Sequence, residues 1–208
     1  NLESTLNATA DQLLSEELYE AAITTVLNTE QTLPLRLDQS YLFVSLGEQA
    51  DRSGTFFETL QRYAKVDRIE LDQIDAMSTK AYAGIILGHF GNTDTPWKNS
   101  KISEFDWDTI HQLGEADMPI ILAHFGTPYT FFDLQMSSAP DALLVGYQNR
   151  TESQRALAQV LFGALPSKGV LPVDIEVLGE QLGSIETVDP PYYPIAKRLN
   201  RQDTPFEE

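Results

Sequence analysis

The chain has 208 residues, a formal net charge of −17, no cysteine and 42% hydrophobic residues. That length buries one well-cored domain with short extensions, while the acidic balance argues against nucleic acid or an anionic membrane as partner, because their phosphates would be repelled. The missing cysteines exclude disulfides, thiolate nucleophiles and cysteine metal sites, and no apolar run approaches membrane-spanning length.

The chain begins with Asn1 rather than Met and shows no signal-peptide pattern, so it reads as a processed or excised piece. Leu13 to Asn28 has the spacing of a helix, with Leu14, Leu18 and Ala21 or Ala22 on one face and Glu16, Glu17 and Glu20 on the other. Thr29 to Gln39 is a connector in which Leu33-Pro34-Leu35 sets an extended turn. Tyr41 to Leu46 is a continuous apolar run expected to form a buried strand. Phe56 to Tyr63 reads as a short amphipathic helix, Val66 to Leu71 as a half-exposed edge strand and Ala76 to Tyr82 as a weak helix. Ala83 to Phe90 is a second buried strand, Glu104 to Glu115 a helix, Pro119 to Phe125 a third buried strand and Phe131 to Met136 a short helix or turn.

Ala142 to Tyr147 then reads as a buried strand followed by a closing unit, TESQRALAQVLFGALPSKGVLPV from Thr151 to Val173. Thr151 is a candidate N-cap, and Ala156, Leu157, Val160, Leu161 and Ala164 form one apolar face. Gly163 is small enough for close packing, and Pro166 ends the helix. Val170 to Val173 is expected to start a short extended segment that Pro172 limits to an edge or irregular strand. The residues after Glu176 are polar and Pro-containing, a tail rather than a core element. Alternation of apolar strands with helices predicts a three-layer α/β/α sandwich around a mainly parallel, flavodoxin-like sheet of about five or six strands.

Ligands of open α/β sheets sit outside the carboxyl ends of the strands. That rule selects Gly47–Gly54, His89–Ser100, His124–Thr130 and Tyr147–Thr151. His89 and His124 both end strands, but no third ligand accompanies them, so no metal site is expected. No GxxxxGK[ST], no GxGxxG after a strand and no GxSxG elbow is present, so neither cofactor nor hydrolase nucleophile is expected. Glu48 and Asp51 would repel phosphate from the first loop. Asp94, Glu104, Asp106 and Asp108 read as solvated loop acids, with Asp106 and Asp108 also stabilising a helix start. Trp97, Tyr129 and Phe90 would stack on a sugar or bury against a partner domain, and the domain contact is the favoured reading.

The wording of several stretches goes further. Leu161-Phe162-Gly163, Pro166, Gly169 and Leu171-Pro172-Val173, in this order, resemble the closing segment of the second domain of glycoside hydrolase family 3. TTVLNTEQTLPL is similar to the family's joint between barrel and second domain, matching at Asn28 and Leu33-Pro34-Leu35, with Leu27 where the family has Lys. AGIILGHFGNTDTPWKNSKIS resembles the corresponding stretch of bacterial N-acetylglucosaminidase members through Asn92-Thr93, Lys98-Asn99 and Ile102-Ser103. PIILAHFGTPY carries Thr127 where those members have Asn, and DALLVGYQNR supplies the strand-end Tyr147. The resemblance runs from about Leu18 to Asp174.

The resemblance implies an upstream barrel holding the aspartate nucleophile. β-Glucosidase members place an acid/base Glu after a strand like Ala83–Phe90, and no Glu here matches it. N-acetylglucosaminidase members instead keep a His–Asp pair on the barrel, so no catalytic residue is expected in this chain. Some of them continue into a serine-hydrolase-like domain, which fits a cut at Glu208. The expected layout is a leading helix and linker over 1–39, the sandwich over 40–175 and the tail over 176–208. The expected role is a non-catalytic domain of a retaining exo-β-N-acetylglucosaminidase. Its partners would be the barrel and a terminal GlcNAc-containing glycan, with His89, Asn92, Trp97, His124 and Tyr129 lining the barrel-facing edge. The rival reading is a free-standing flavodoxin-like module for a small ligand or protein partner.

Overall fold

A computed structural model describes residues 9–71, 81–92, 101–114, 118–133, 139–177 and 180–182. The elements are α1 (Thr9–Ala22), β1 (Thr24–Asn28), β2 (Ser40–Leu46), α2 (Gly54–Leu60), β3 (Lys65–Arg68), β4 (Ile85–Phe90), α3 (Glu104–Gly114), β5 (Ile120–Phe125), β6 (Ala142–Val145), α4 (Thr151–Leu161), β7 (Ile175–Val177) and β8 (Glu180–Leu182). A 3-10 turn over Pro128–Asp133 follows β5. Six strands form one sheet in the order β1-β6-β5-β4-β2-β3, parallel throughout except for β1, which runs antiparallel to β6. Without β1 this is the flavodoxin-like strand order. The expected three-layer sandwich is therefore the architecture.

The two faces of the sheet follow from strand alternation. Phe43, Ile86, Phe90, Ile121, Phe125 and Leu144 point to one side, where Phe56 and Leu60 of α2 and Leu157 and Leu161 of α4 cover them. Leu42, Val44, Leu87, Leu122 and Val145 point to the other, under Trp107 and Ile110 of α3 and Phe131 of the 3-10 turn. Burial on both faces is why β4 and β5 are apolar without alternation. Among the described residues, no helix is long and apolar enough to cross a membrane.

Three local expectations are corrected. The first helix stops at Ala22, and Thr24 to Asn28 is an edge strand, because the β-branched Thr24, Thr25 and Val26 fit a pleat better than a helix and β6 offers them a partner. Val170 to Val173 forms no strand, and β1 occupies the edge assigned to it. A separate hairpin of β7 and β8 follows instead. Arg150, not Thr151, is the N-cap of α4, in an extended conformation. Gly163 also has a backbone role. Its φ is +66°, and the bonds from Gly163 N–H to Val160 O (3.0 Å) and from Ala164 N–H to Gln159 O (2.8 Å) make it the left-handed cap of a Schellman motif. Residues 76–80 of the expected weak helix, and all of the tail beyond the hairpin, lie outside the described residues.

The first and last stretches of the fold are fastened together. Leu35 N–H donates to Leu161 O at 2.8 Å, Thr25 N–H to Ser167 Oγ at 2.8 Å and Gly169 N–H to Ile23 O at 3.0 Å. The Asn28 amide holds the turn before Leu35 by accepting from Leu33 N–H at 2.9 Å.

Candidate functional site

The strand order reverses direction between β2 and β4, so the crevice outside their carboxyl ends is where such a sheet offers a site. The loop after β2 turns at Gly47 (φ +92°), and Gln49 N–H donates to Phe90 O at 3.0 Å, which holds this loop on the end of β4. A Cβ at Gly47 would lie 2.6 Å from Phe90 O, so the turn requires glycine twice over.

His89 and His124 are register partners on β4 and β5. Strand parity sends both rings to the α3 side, where they stack with centroids 5.0 Å apart and planes at 25°. They are 2% and 0% exposed, so they lie beneath the edge rather than on it. His124 Nε2 sits 3.1 Å from Thr127 O and must carry its hydrogen to bond there, which leaves Nδ1 as a bare acceptor. The ring edge packs on Phe131. Burial holds the His124 pKa well below the usual 6.5, the neighbouring His89 adds to this, and the Thr127 bond opposes it.

Asp106 reaches the pair from α3. Ser103 caps that helix: Asp106 N–H donates to Ser103 Oγ at 3.1 Å, and Ser103 O–H donates back to Asp106 Oδ2 at 2.8 Å. The same carboxylate oxygen is 3.7 Å from His89 Nε2. Burial alone would raise the Asp106 pKa, but the nearby His89 ring, the Ser103 hydroxyl and the Gly47 backbone outweigh it and hold the pKa below the ordinary carboxylate value. A glycosidase acid must be held protonated. Asp106 is tuned the opposite way.

A second network runs along the edge. Gln154, in the first turn of α4, accepts from Phe56 N–H at 2.8 Å and donates to Arg52 O at 2.8 Å and Asn149 Oδ1 at 2.6 Å. The Gln49 amide meets the Asn149 amide at 3.0 Å and lies 3.4 Å from Asn92 Oδ1. Loops after β2, β4 and β6 are thus linked through carboxamides.

Of the five edge residues expected from sequence, His89 and His124 come together, and Asn92 joins the Gln49 network on the same edge. Tyr129 stands 58% exposed on the 3-10 turn after β5, and Trp97 lies outside the described residues. Sequence reasoning missed Gln154, reached Gln49 and Asn149 only as members of the selected loops, and read Asp106 as a solvated acid at a helix start, whereas it is buried against the sheet. The Ser103-x-x-Asp106 spacing was the available signal for a carboxylate turned back toward the sheet. Among the described residues, no group of three His, Asp or Glu could hold a metal ion.

No protein-family model and no curated protein matches the chain. Solved structures do. A fungal multi-domain glycoside hydrolase family 3 β-N-acetylglucosaminidase is similar at a TM-score of 0.65 and 20% identity, over 86% of this chain and 21% of that one. A family 3 β-N-acetylglucosaminidase from Paenibacillus sp. is similar at 0.62 and 18%, over 80% of this chain and 33% of that one. The β-glucoside phosphorylase BglX gives 0.67 and 14%, over 85% and 33%. The chain has the fold of one segment of these enzymes. It spans about a fifth to a third of their length.

Proposed function

We propose that this chain is the second, non-catalytic α/β domain of a retaining exo-β-N-acetylglucosaminidase resembling glycoside hydrolase family 3. It supports an upstream catalytic barrel, and its carboxyl edge walls the cleft that receives a terminal GlcNAc. The observation that carries this reading is the coverage: 80–86% of the chain corresponds to only 21–33% of two family 3 β-N-acetylglucosaminidases. The order of matching motifs from Leu18 to Asp174 supports the same choice. Among the described residues, the carboxylate bonded into the strand-end cluster, Asp106, is buried and ionised, in keeping with a domain that leaves acid and nucleophile to the barrel. In this reading Asn92, Trp97 and Tyr129 face the barrel, while His89 and His124 brace the edge from below.

The test is an assay on an aryl β-GlcNAc substrate, with this chain alone and with the longer protein encoded by its gene. We expect no turnover from the chain alone and hydrolysis with retention by the longer protein. Turnover by the isolated chain, or a gene with no barrel ahead of Asn1, overturns the proposal.

A further inference from the structure

We propose that this chain binds part of its own tail: Pro191-Tyr192-Tyr193-Pro194 docks, as a polyproline II segment, in the tyrosine-lined cavity between α1 and the end of β6, and the basic residues that follow lie along the acidic side of α1. Such docking needs nothing outside this chain and is independent of the functional reading above.

The cavity is built to take apolar rings. It measures about 390 Å³, within the range of small-ligand pockets, and its wall is mostly apolar, with Tyr19 and Ala22 of α1 facing Tyr147. Both tyrosine tips are already engaged. Tyr19 O–H donates to Gln148 Oε1 at 2.6 Å. Thr24 gives its hydroxyl hydrogen to Ala22 O at 3.0 Å, so in its 2.7 Å contact with Tyr147 the tyrosine is the donor. Tyr147 has a φ of +62°, a left-handed backbone state that a bulky side chain rarely adopts and that marks the position as over-determined by its surroundings. Two fixed aromatic bodies with no hydroxyl hydrogen to spare suit a ligand that brings apolar rings and asks for few bonds. A polyproline II segment is such a ligand, and aromatic-lined grooves are its usual receptors.

The tail, which lies outside the described residues, carries the complement in its sequence. Pro191 and Pro194 have the PxxP spacing, which sets both rings on one side of a helix with three residues per turn. Lys197, Arg198 and Arg201 follow at once, in a chain of net charge −17 that has only 14 basic residues. Helix α1 is acidic: it carries Asp11, Glu16, Glu17 and Glu20 and no basic residue. Arg155 of α4 meets Glu16, and Arg150 and Glu152 act on Tyr19 with opposite sign, while Asp11 and Glu17 stand exposed. The tail also starts from the right place. Strand β7 packs beside the 3-10 turn that follows β5, and β5 neighbours β6, so the hairpin delivers the tail to the edge where the cavity opens. From there the residues Gly183 to Pro190 span up to about 26 Å when extended.

The experiment places a nitroxide on Gln202→Cys in the full chain, where the absence of other cysteines makes the label unique. Amide NMR spectra are compared with the nitroxide active and reduced. The expected result is loss of the Tyr19, Ala22, Tyr147 and Gln148 signals while the label is active, with β3, at the far edge of the sheet, spared. Adding Pro191→Ala and Pro194→Ala should bring those signals back, and the β3 signals show that each variant is folded. Raising the ionic strength to about 1 M, where charges act over only about 3 Å, should restore part of the intensity. Signals that the active label leaves intact overturn the proposal. So does quenching that survives the two proline substitutions or ignores salt. Quenching of an isotope-labelled chain by a separate spin-labelled chain also overturns it, since the occupant would then be a second copy.

Discussion

The Gly169 amide donates to the Ile23 carbonyl across 3.0 Å, which ties the closing motif to the residue just before the first strand. A Cβ at Gly169 would collide with the Ala22 carbonyl and the Thr24 hydroxyl. Gly169→Ala should therefore cost about 2 kcal/mol or more, as overpacking against backbone does. Ser167→Ala leaves the buried Thr25 N–H without its acceptor and should cost about 1–3 kcal/mol. Urea denaturation checks both, and midpoints equal to wild type would show that the two ends of the fold are not fastened there.

Gln154→Leu keeps the volume but strips three bonds that join α4 to α2 and to the loop after β6. Leaving Phe56 N–H buried and unpaired should cost about 1–3 kcal/mol. Gln154→Glu keeps that acceptor but sets a buried carboxylate oxygen against the Arg52 and Asn149 oxygens, and should cost at least as much. Wild-type stability of Gln154→Leu, measured by thermal denaturation, would contradict the role given to the Phe56 bond.

Stability should fall as the pH drops below about 6.5. The folded His124 pKa lies below its unfolded value, so the unfolded chain binds more protons in that window, and acid favours unfolding. The slope from this group reaches at most about 1.4 kcal/mol per pH unit. Asp106 has a depressed carboxylate pKa, so its contribution is present above about 3.8 and is lost as the pH falls further. Guanidinium denaturation at intervals from pH 8 to about pH 2 measures this, and His124→Gln should flatten the first part of the curve. A profile that stays level from pH 7 to pH 5 in the wild type would refute the assignment.

Helix α1 is turned with its leucines outward. Glu16 faces α4 and pairs with Arg155 at 2.6 Å, while Leu13, Leu14 and Leu18 are 42%, 55% and 62% exposed. Leu18 borders a cavity of about 390 Å³ shared with Tyr19, Gly146 and Tyr147. Replacing Leu14 and Leu18 by Ser should change stability by no more than about 0.5 kcal/mol each, since little area is buried there. Binding of a dye that reports exposed apolar surface should decrease. A large destabilisation would mean that these leucines pack more tightly than their exposure indicates.

The layer plan was legible before any coordinates. Runs such as Ile120 to Phe125 are apolar at every position, and only a strand covered on both faces needs that. The strand-end rule gathered His89, His124 and Asn92 at one end of the sheet, since it depends only on parallel strands following one another. What local pattern could not supply was pairing. Ile23 to Asn28 continues the spacing of a helix well enough, and only the free edge of β6 makes it a strand. Likewise Asp106 reads as an ordinary helix-start acid until α3 is laid over β4, and Gln154 reads as a polar position on an amphipathic helix until α2 arrives beside it.

The sequence by itself determined which residues are apolar, at what period, and where glycine and proline interrupt them. This was enough for the three-layer class and for the helix of the closing unit, but not for that helix's N-cap or for the path of Val170 to Val173. The tertiary structure decided which distant residues meet: His89 against His124, Asp106 against His89, and Gly169 against Ile23. The physical reason is that periodicity is a property of neighbours along the chain, whereas register and burial are set by the strand or helix that happens to lie alongside.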